Sequence, residues 1–188
     1  MRQEFIRLTD GTIVQGDAFE KKDFLLMQKI FKDWLEMNKE LKQLGGRSLN
    51  VPDVFSEALF CLAFDAVRTN GTAYSYDCVM RKTHEGVQVK SASIPNDCTS
   101  FGPTSTWDLL FFADFVPHGT IDGEVWFYRI EDNWVYPLVL NSKKHETFKM
   151  QQEQGRRPRF SIQGMIIKPK RILPVKKINL ITGSGISF

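Results

Sequence analysis

The spacing of the apolar residues changes along the chain, and this change constrains the fold more than any other feature. Between Asp23 and Leu44 the apolar side chains recur every three or four residues, which is typical of an amphipathic helix. The members of this stripe are Phe24, Met27, Phe31, Trp34, Met37 and Leu41. They predict a helix face that packs against a core or a subunit interface. Beyond residue 72 the apolar runs become short and β-rich, so strands are expected to follow helices.

Local turn and capping signals set the bounds of the first elements. The Asp10-Gly11 pair lies between two short apolar runs and predicts a β-hairpin over residues 4–16. For the first helix, Asp23 is a suitable cap and Gly45-Gly46 can end it.

A second helix and a series of strands are predicted next. The helix spans Val54–Arg68 with Asp53 as its cap, and Asn70-Gly71 breaks it. The predicted strands are Thr72–Met80, Val87–Ile94, Leu109–Val116, Glu124–Ile130 and the runs 160–168 and 175–181. With no internal repeat and no interdomain linker in the sequence, we expect one α+β domain over residues 1–188.

The formal net charge of +3 conceals two segments of opposite sign. Residues 142–177 contain eleven Lys or Arg residues and two acids, a net charge of +9, so the remainder of the chain carries −6. A basic segment beside an acidic body favours a polyanion as the partner of one face. A solvated basic surface without a partner is the alternative, and charge alone leaves both open.

Composition argues against several other classes of protein. With 42% hydrophobic and 25% charged residues, the chain is expected to be a globular protein of ordinary solubility. Its apolar runs are too short for a membrane helix, and its N-terminus lacks the apolar region of a signal peptide. Three widely spaced cysteines predict neither a disulfide framework nor a zinc site, and they favour the cytoplasm.

The residues with the most informative chemistry lie in the predicted hairpin around Asp77 and Lys90. Gln88 and Lys90 are two residues apart on one strand, so their side chains point to the same face. The hairpin brings Asp77 beside them at a sheet edge, and Glu57 lies one turn into the preceding helix. A carboxylate, a second oxygen ligand and a lysine are the groups that Mg²⁺-dependent phosphodiester hydrolysis requires. The same spacing also occurs by chance in exposed hairpins.

This arrangement resembles the PD-(D/E)XK nuclease superfamily, and in particular its small type II restriction endonucleases. In that family an acid on one strand is followed by an acid-x-Lys on the next strand, and a helical glutamate often assists. Asp77 corresponds to the first acid, Lys90 to the lysine and Glu57 to the helical glutamate. The run SFGPTSTWD at residues 100–108 and the strands FFADF and DGEVWFYRI also resemble restriction enzymes.

Two positions depart from the family pattern. Tyr76 stands where the motif usually has proline, and Gln88 replaces the second carboxylate. Glutamine can still bind a metal through its neutral carbonyl oxygen, and Gln-x-Lys variants occur in active members of the superfamily. The resemblance therefore implies a Mg²⁺ shell of Asp77, Gln88 and the Val89 carbonyl, with Glu57 as a direct or water-mediated ligand.

The resemblance implies a fold and an activity. The fold is an α/β core with a restriction-endonuclease-like mixed central sheet flanked by helices, and residues 50–170 form its catalytic part. Residues 1–46 lie outside the resemblance and are a candidate dimerisation element. The activity is Mg²⁺-dependent hydrolysis of double-stranded DNA at a short palindrome by an in-line water, which Lys90 assists, leaving 5′-phosphate ends. The enzyme would be a homodimer, with a cognate DNA methyltransferase as its functional partner.

The candidate DNA contacts form two groups. Ser91, Ser93, Asn96 and Asp97 directly follow the strand of Lys90, near the expected scissile phosphate. The basic candidates are Arg156, Arg157, Arg159, Lys168, Lys170, Arg171, Lys176 and Lys177. Lysines suit phosphates, which fix position only, whereas arginine forks also match guanine O6 and N7. The sequence leaves open whether the arginines contact bases or phosphates.

Two other functions are compatible with the sequence. A non-catalytic DNA-binding protein would use the basic segment alone and would retain DNA in a salt-dependent manner without cleavage. A structure-selective repair nuclease on the same core would cut branched or mismatched DNA without a fixed sequence. Sequencing the ends from one plasmid digest separates all three functions.

Overall fold

The structure, a computed structural model, describes residues 1–46, 49–69 and 76–187 and has a mixed β-sheet at its centre. Its strands are β1 (Arg2–Arg7), β2 (Ile13–Ala18), β3 (Ala66–Thr69), β4 (Cys78–Met80), β5 (Gly86–Ala92), β6 (Thr99–Ser100), β7 (Leu109–Asp114), β8 (Glu124–Ile130), β9 (Val139–Asn141), β10 (Glu146–Thr147), β11 (Arg159–Phe160) and β12 (Lys176–Asn179). Its helices are α1 (Lys21–Gln43), α2 (Asp53–Phe64), α3 (Asp132–Val135), α4 (Phe148–Glu153) and α5 (Lys168–Lys170), and a π-helical turn (Gln163–Ile167) runs into α5. The predicted α+β class with a restriction-endonuclease-like mixed sheet is confirmed.

Within the described residues, eight strands form one sheet in the order β1-β2-β3-β4-β5-β7-β8-β12. Only β5 and β7 are parallel neighbours in it. A tight turn cannot join parallel strands, so the chain leaves the sheet after β5 and forms β6, which pairs with β11, before it returns as β7. The hairpin of β4 and β5 is therefore central in the sheet, whereas the sequence suggested a sheet edge.

The two faces of the sheet each carry an apolar core. In β7, Leu110 belongs to the core on one face and Phe111 to the core on the other. The helices α1 and α2 cover the face of Phe111, and α4 with the π-helical turn covers the face of Leu110. At the centre of the first core, Phe60 is fully buried, and its ring centroid lies 4.8 to 6.0 Å from those of Phe64, Phe111 and Phe127.

The helix α1 begins two residues earlier than the sequence indicates, because its cap is different. Glu20 is the N-cap, and its side chain accepts the backbone N–H of Asp23. The Asp23 carboxylate accepts the N–H of Glu20 in return at 2.9 Å, which completes a capping box. The predicted stop is confirmed, since Gly45 has a φ of 73° just after the helix. Neither α1 nor any other described helix is both long and apolar enough to span a membrane.

The helix α2 is shorter than predicted. It ends at Phe64 because Asp65 adopts a left-handed conformation with a φ of 53°, and the chain then turns into β3. Arg68, the last residue of the predicted helix, therefore lies on a strand. The predicted break at Asn70-Gly71 and the first four residues of the predicted strand from Thr72 lie outside the described residues.

The apolar run 160–168 predicts a strand, and the structure shows mainly a helix instead. Only Phe160 is in a strand, while Gln163–Ile167 forms the π-helical turn. The isoleucines of this run favour a strand by local preference, but Ile162 and Ile166, four residues apart, both pack into the second core. The run 175–181 does contain the predicted edge strand, β12, and the strands predicted around β7 and β8 are confirmed.

Replacing Phe60 by Ala should lower the free energy of unfolding by about 3 to 5 kcal/mol, because the neighbouring rings fill the resulting cavity only in part. Urea denaturation followed by tryptophan fluorescence measures this loss. Phe5→Ala is the matched control: Phe5 is 73% exposed, so its change should stay within about 0.5 kcal/mol. Equal losses in the two variants would contradict the position of the core.

Candidate active site

A cavity of about 240 Å³ lies where the start of α2 approaches β4 and β5. Several predicted site residues line it, namely Glu57, Asp77, Val89, Lys90, Ser91 and Asp97. Its other lining residues are Asn50, Asp53, Cys98, Thr99 and Ser100. Among these described lining residues, four are acids and one is a lysine, so the cavity is acidic.

Asp77 is fixed against β5 by hydrogen bonds of its backbone and its side chain. Its N–H donates to the Val87 carbonyl at 2.9 Å, and its own carbonyl accepts the N–H of Thr69 at 2.9 Å. The carboxylate oxygen Oδ2 accepts the N–H of Val89 at 2.8 Å and the side-chain amide of Gln88. The backbone of the β4–β5 hairpin therefore determines where this carboxylate lies.

The pKa of Asp77 is raised to about 6, mainly by burial and then by the negative charge of Glu57. Lys90 and the N–H of Val89 act in the opposite direction, and Asp53 adds a smaller increase. A carboxyl group with a strongly raised pKa in a cavity is typical of a functional site. A cation bound beside Asp77 would favour its ionised form and so lower the pKa of Asp77 again.

Gln88 is 5% exposed, and its side chain is directed to Asp77. It precedes Lys90 by two residues on β5, as the sequence indicates, but it is not among the residues that line the cavity. A neutral amide can donate an N–H to a carboxylate, which a glutamate at this position could not do in its ionised form. In this structure Gln88 orients Asp77.

Glu57 is held by an arginine that the sequence pattern does not single out. The Arg68 Nε donates to Glu57 Oε2 at 2.6 Å, and Arg68 Nη1 lies 3.3 Å from Asp17 Oδ2. Arg68 reaches both acids because it lies on β3 and not on a longer α2. This ion pair connects the N-terminal hairpin to the helix that carries Glu57.

Lys90 lies on the cavity wall beside a buried aromatic ring. Its Nζ is 5.4 Å from the ring centroid of Phe101, which is fully buried. A ring face at this distance attracts an ammonium group and limits where it can point. Lys90 is therefore positioned from one side by Phe101, while the acids of the cavity surround it on the other.

The donors around Asp77 fit a hard divalent cation. Among the described residues, no three His, Cys, Asp or Glu side chains are close enough to hold a metal by themselves. A cation at Asp77 would need oxygen ligands besides these side chains, and the candidates are the Val89 carbonyl and water. This all-oxygen composition is the one that Mg²⁺ prefers.

The predicted DNA contacts after β5 fall in different places. Ser91 and Asp97 line the cavity. Ser93 is buried, and its hydroxyl accepts the N–H of Val51 at 3.3 Å. The predicted contact of Ser93 with DNA does not fit this buried position, because its hydroxyl already binds the backbone of the segment before α2.

Asn96 belongs to a polar network that reaches from the surface to a buried acid. Its side-chain oxygen accepts from Lys168 Nζ at 2.8 Å, and its N–H donates to the side chain of Gln163 at 2.7 Å. Gln163 in turn donates to the buried Asp114 at 2.5 Å. This network connects Lys168 to the segment 97–100, which lines the cavity.

The predicted arginines are not equivalent. Arg159 is exposed and pairs with Ser100 between β11 and β6, which places its backbone beside the cavity wall. Arg156 forms an ion pair with Glu146 at 2.9 Å, while Arg157 is exposed. Of these three arginines, Arg159 is the one that the strand pairing brings next to the site.

The predicted lysines of the C-terminal segment lie against tryptophan rings or at the edge of the described sheet. Lys170 Nζ is 5.6 Å from the ring centroid of Trp134, and Lys177 Nζ is 3.9 Å from that of Trp126. Lys176 and Lys177 belong to β12, three strands away from β5. They are therefore separated from the cavity by β7 and β8.

Some cavity residues could have been found from the sequence and others could not. Asp53 is interpreted there as a helix cap, yet it precedes Glu57 by four residues, and this spacing predicts that both acids share one helix face. Thr99 and Ser100 carry no such signal, because their position depends on the pairing of β6 with β11, a distant segment. For example, the Thr99 hydroxyl donates to the carbonyl of Phe160, 61 residues away.

Comparison with known proteins gives a match over most of the chain. A family model described as Bsp6I restriction endonuclease matches residues 19–169. The chain is 33% identical over 164 residues to the type II restriction enzyme Bsp6I of Bacillus sp. (strain RFL6). The aligned region covers 87% of this chain and 91% of that enzyme. No solved structure matches significantly. The family match includes the first helix, which the resemblance of the sequence motifs left outside.

Replacing Asp77 by Asn should stabilise the metal-free protein at pH 8. The pKa of Asp77 in the folded protein, about 6, lies above the ordinary value of 3.8. Ionisation of Asp77 therefore lowers the free energy of unfolding as the pH rises from 3.8 to 6, and above that interval this decrease is complete. A shift of this size corresponds to about 2 to 3 kcal/mol. Urea denaturation should show that advantage of the variant at pH 8, and the advantage should vanish as the pH falls towards 4.

Glu153→Gln, at the exposed end of α4, is the control for this experiment and should change stability little at either pH. An advantage of Asp77→Asn that stays constant from pH 4 to pH 8 would contradict the raised pKa.

Proposed function

The chain belongs to the Bsp6I restriction endonuclease family, and on that premise we propose that it is a Mg²⁺-dependent type II enzyme that cleaves double-stranded DNA at a short palindromic site. The observation that carries this proposal is the acidic cavity in which Asp77, Glu57 and Lys90 meet. These three residues correspond to the nuclease motif, and they come from α2, from the position directly before β4 and from β5.

The metal would be held by Asp77 and the Val89 carbonyl, with Glu57 as a direct or water-mediated ligand. Gln88 would keep Asp77 in position through its amide, which is the contact it makes in the structure. Asp53 adds negative charge one helical turn from Glu57 and would strengthen the attraction for a cation. Bound there, Mg²⁺ supplies a water of lowered pKa and neutralises charge on the phosphate.

Lys90 would orient the attacking water and offset the negative charge that grows on the phosphate. The water oxygen forms a new bond to phosphorus while the bond from phosphorus to O3′ breaks, so the ends carry a 5′-phosphate and a 3′-hydroxyl. The acids of the cavity repel a DNA backbone by themselves, and the metal requirement follows from this repulsion.

DNA would approach the cavity from the side of the segments that follow β5 and β11. Ser91 and Asp97 lie in the cavity wall, and Arg159 lies beside it. Lys168 is exposed and would bind a phosphate while it stays connected to Asn96. A homodimer would place one active site on each strand of a palindrome, and a cognate methyltransferase would protect the host sites.

The two alternative functions are less well supported. A non-catalytic DNA-binding protein has no use for a lysine and four acids around one cavity. A structure-selective repair nuclease would share the cavity, but the relative that covers most of the chain is a type II restriction enzyme. Sequence-specific cleavage is therefore the function that the cavity and the family favour together.

Replacing Lys90 by Ala should lower the cleavage rate by about 10²- to 10³-fold, because one group that stabilises the transition-state charge is lost. Initial rates on unmethylated plasmid DNA in Mg²⁺ measure the effect, with EDTA as the blank. Lys82→Ala is the matched control, since Lys82 is exposed in the turn of the same hairpin and should keep the wild-type rate. Sequenced ends should show one site and one cut position.

The proposal is wrong if cleavage persists in EDTA, or if Lys90→Ala and Lys82→Ala cut equally fast. Ends without a common sequence would favour the repair nuclease. Salt-dependent retention of DNA with no cleavage in Mg²⁺ would favour the DNA-binding protein.

Mg²⁺ should raise the melting temperature of the wild type, because a cation that binds only the folded chain stabilises it by mass action. Asp77→Asn should abolish this shift, whereas Lys90→Ala should keep it, since Lys90 is not a ligand. Differential scanning calorimetry with and without Mg²⁺, at matched ionic strength, measures both. Equal shifts in Asp77→Asn and the wild type would exclude Asp77 as a ligand.

A further inference from the structure

The helix α1 carries a second apolar stripe on its solvent side. Its buried stripe consists of Phe24, Met27, Phe31 and Trp34, with Asn38 at the end. The solvent-side residues are Leu26, Ile30 and Met37, which are 55%, 42% and 49% exposed. Their spacings of four and seven residues place them in one line along the helix. Met37, which the sequence pattern places in the buried stripe, belongs instead to this exposed stripe, which has no partner among the described residues.

A small pocket continues this stripe towards α2. It has a volume of about 60 Å³ and is lined by Ile30, Phe31, Trp34, Val51, Pro52 and Phe55. Val54, at the start of α2, is also exposed. Water takes up about 30 Å³ per molecule in the liquid, so the pocket suits the end of one aliphatic side chain. We call the stripe and this pocket together the α1 face.

Charged residues follow one edge of the stripe, and their sign changes halfway along the helix. Lys22 and Lys29 lie in its N-terminal half, and Glu36 and Glu40 lie in its C-terminal half, at spacings of seven, seven and four residues. Asp33 lies between them and forms an ion pair with Lys29 at 2.8 Å. Helices whose edges carry such charges select their partners by pairing opposite signs.

This reversal of sign makes the α1 face complementary to itself in one orientation. In a parallel pair with two-fold symmetry, the charged edges of the two helices lie on opposite sides of the contact, so Lys29 of one chain does not meet Glu36 of the other. A second copy that runs antiparallel, related by a two-fold axis between Ile30 and Asp33, would set Lys29 against Glu36 twice. Such an arrangement also brings Leu26 of one chain opposite Met37 of the other. Contacts that repeat in both directions are the property of an interface between identical subunits.

We propose that the α1 face binds the α1 face of a second copy of this chain, with the two helices antiparallel. The interface of the homodimer is what this adds to the proposed function. It rests on that function, because cleavage of a palindromic site is the reason to expect two subunits. The apolar stripe supplies the buried area, and the pairing of Lys29 with Glu36 sets the orientation.

The α1 face is joined to the active site by a segment of four residues. Val51 and Pro52 line the pocket of the α1 face, whereas Asn50 and Asp53, on either side of them, line the cavity that contains Asp77. A side chain of a second copy that fills the pocket would contact Val51 and Pro52 and so restrain Asn50 and Asp53 beside them. Dissociation of the dimer should therefore lower the cleavage rate without any change in the catalytic residues.

Ile30→Asp should convert the dimer to a monomer, because it places a charge in the centre of the apolar stripe. Sedimentation equilibrium of the full-length chain measures the mass, which should fall from twice 21.7 kDa to that value. Ile13→Asp is the matched control: Ile13 is also 58% exposed but lies on β2, outside the α1 face, so this variant should stay dimeric. Circular dichroism and urea denaturation verify that both variants are folded.

A charge exchange tests the orientation separately. Lys29→Glu alone and Glu36→Lys alone should each weaken dimerisation about tenfold, because each replaces two attractive contacts by repulsive ones. The double variant should return to within about twofold of the wild type, since the pairs are restored with reversed signs. The substitutions also break the ion pairs Lys29–Asp33 and Lys39–Glu36 within α1, but this loss cannot explain such a recovery, because the double variant still lacks both.

A monomeric wild type, a dimeric Ile30→Asp, or a double variant as weak as the single ones would overturn the proposal. A monomeric wild type that cuts DNA would remove the interface and leave the proposed function intact. A wild-type dimer that Ile30→Asp dissociates but that cuts no DNA in Mg²⁺ would keep the interface and remove the proposed function.

Discussion

The position of one half-buried carboxylate, that of Asp77, determines the rest of the site. The backbone of β5 holds it through the N–H of Val89, while burial and the charge of Glu57 raise its pKa to about 6. The fold thus holds a carboxyl group where its ionised form is unfavourable. A cation bound beside it is the simplest way to make the ionised form favourable. The parallel pairing of β5 and β7 adds the crossover through residues 97–100, which closes the cavity on its other side.

The parts of the site that the sequence predicts are those that depend on local geometry. The two-residue period of a strand places Gln88 and Lys90 on one face, and a short hairpin brings Asp77 beside them. These relations hold whatever the rest of the chain does. The position of Glu57 follows nearly as directly, since it needs only a helix that packs on the hairpin.

The parts that the sequence does not predict depend on contacts between distant segments. Arg68 binds Glu57 because Asp65 ends α2 early. Residues 66–69 contain two good helix formers and two β-branched residues, so local preference does not decide between a helix and a strand. The pairing of Ser100 with Arg159 joins residues that no local pattern relates. The run from Phe160 becomes helical because its isoleucines bury better that way, which overrides their local preference for a strand.

Gln88 shows how a departure from a motif can be compensated within the same cavity. A carboxylate at this position would add a further negative charge beside Asp77, Glu57 and Asp53, and burial would make that repulsion stronger. The amide instead donates a hydrogen bond to Asp77, so it keeps the geometry of the motif with less charge. The missing charge is supplied by Asp53, one helical turn from Glu57 at the cavity wall. The acids of the site are therefore distributed differently between strand and helix, so the proposed metal binding would depend on the segment that also borders the α1 face.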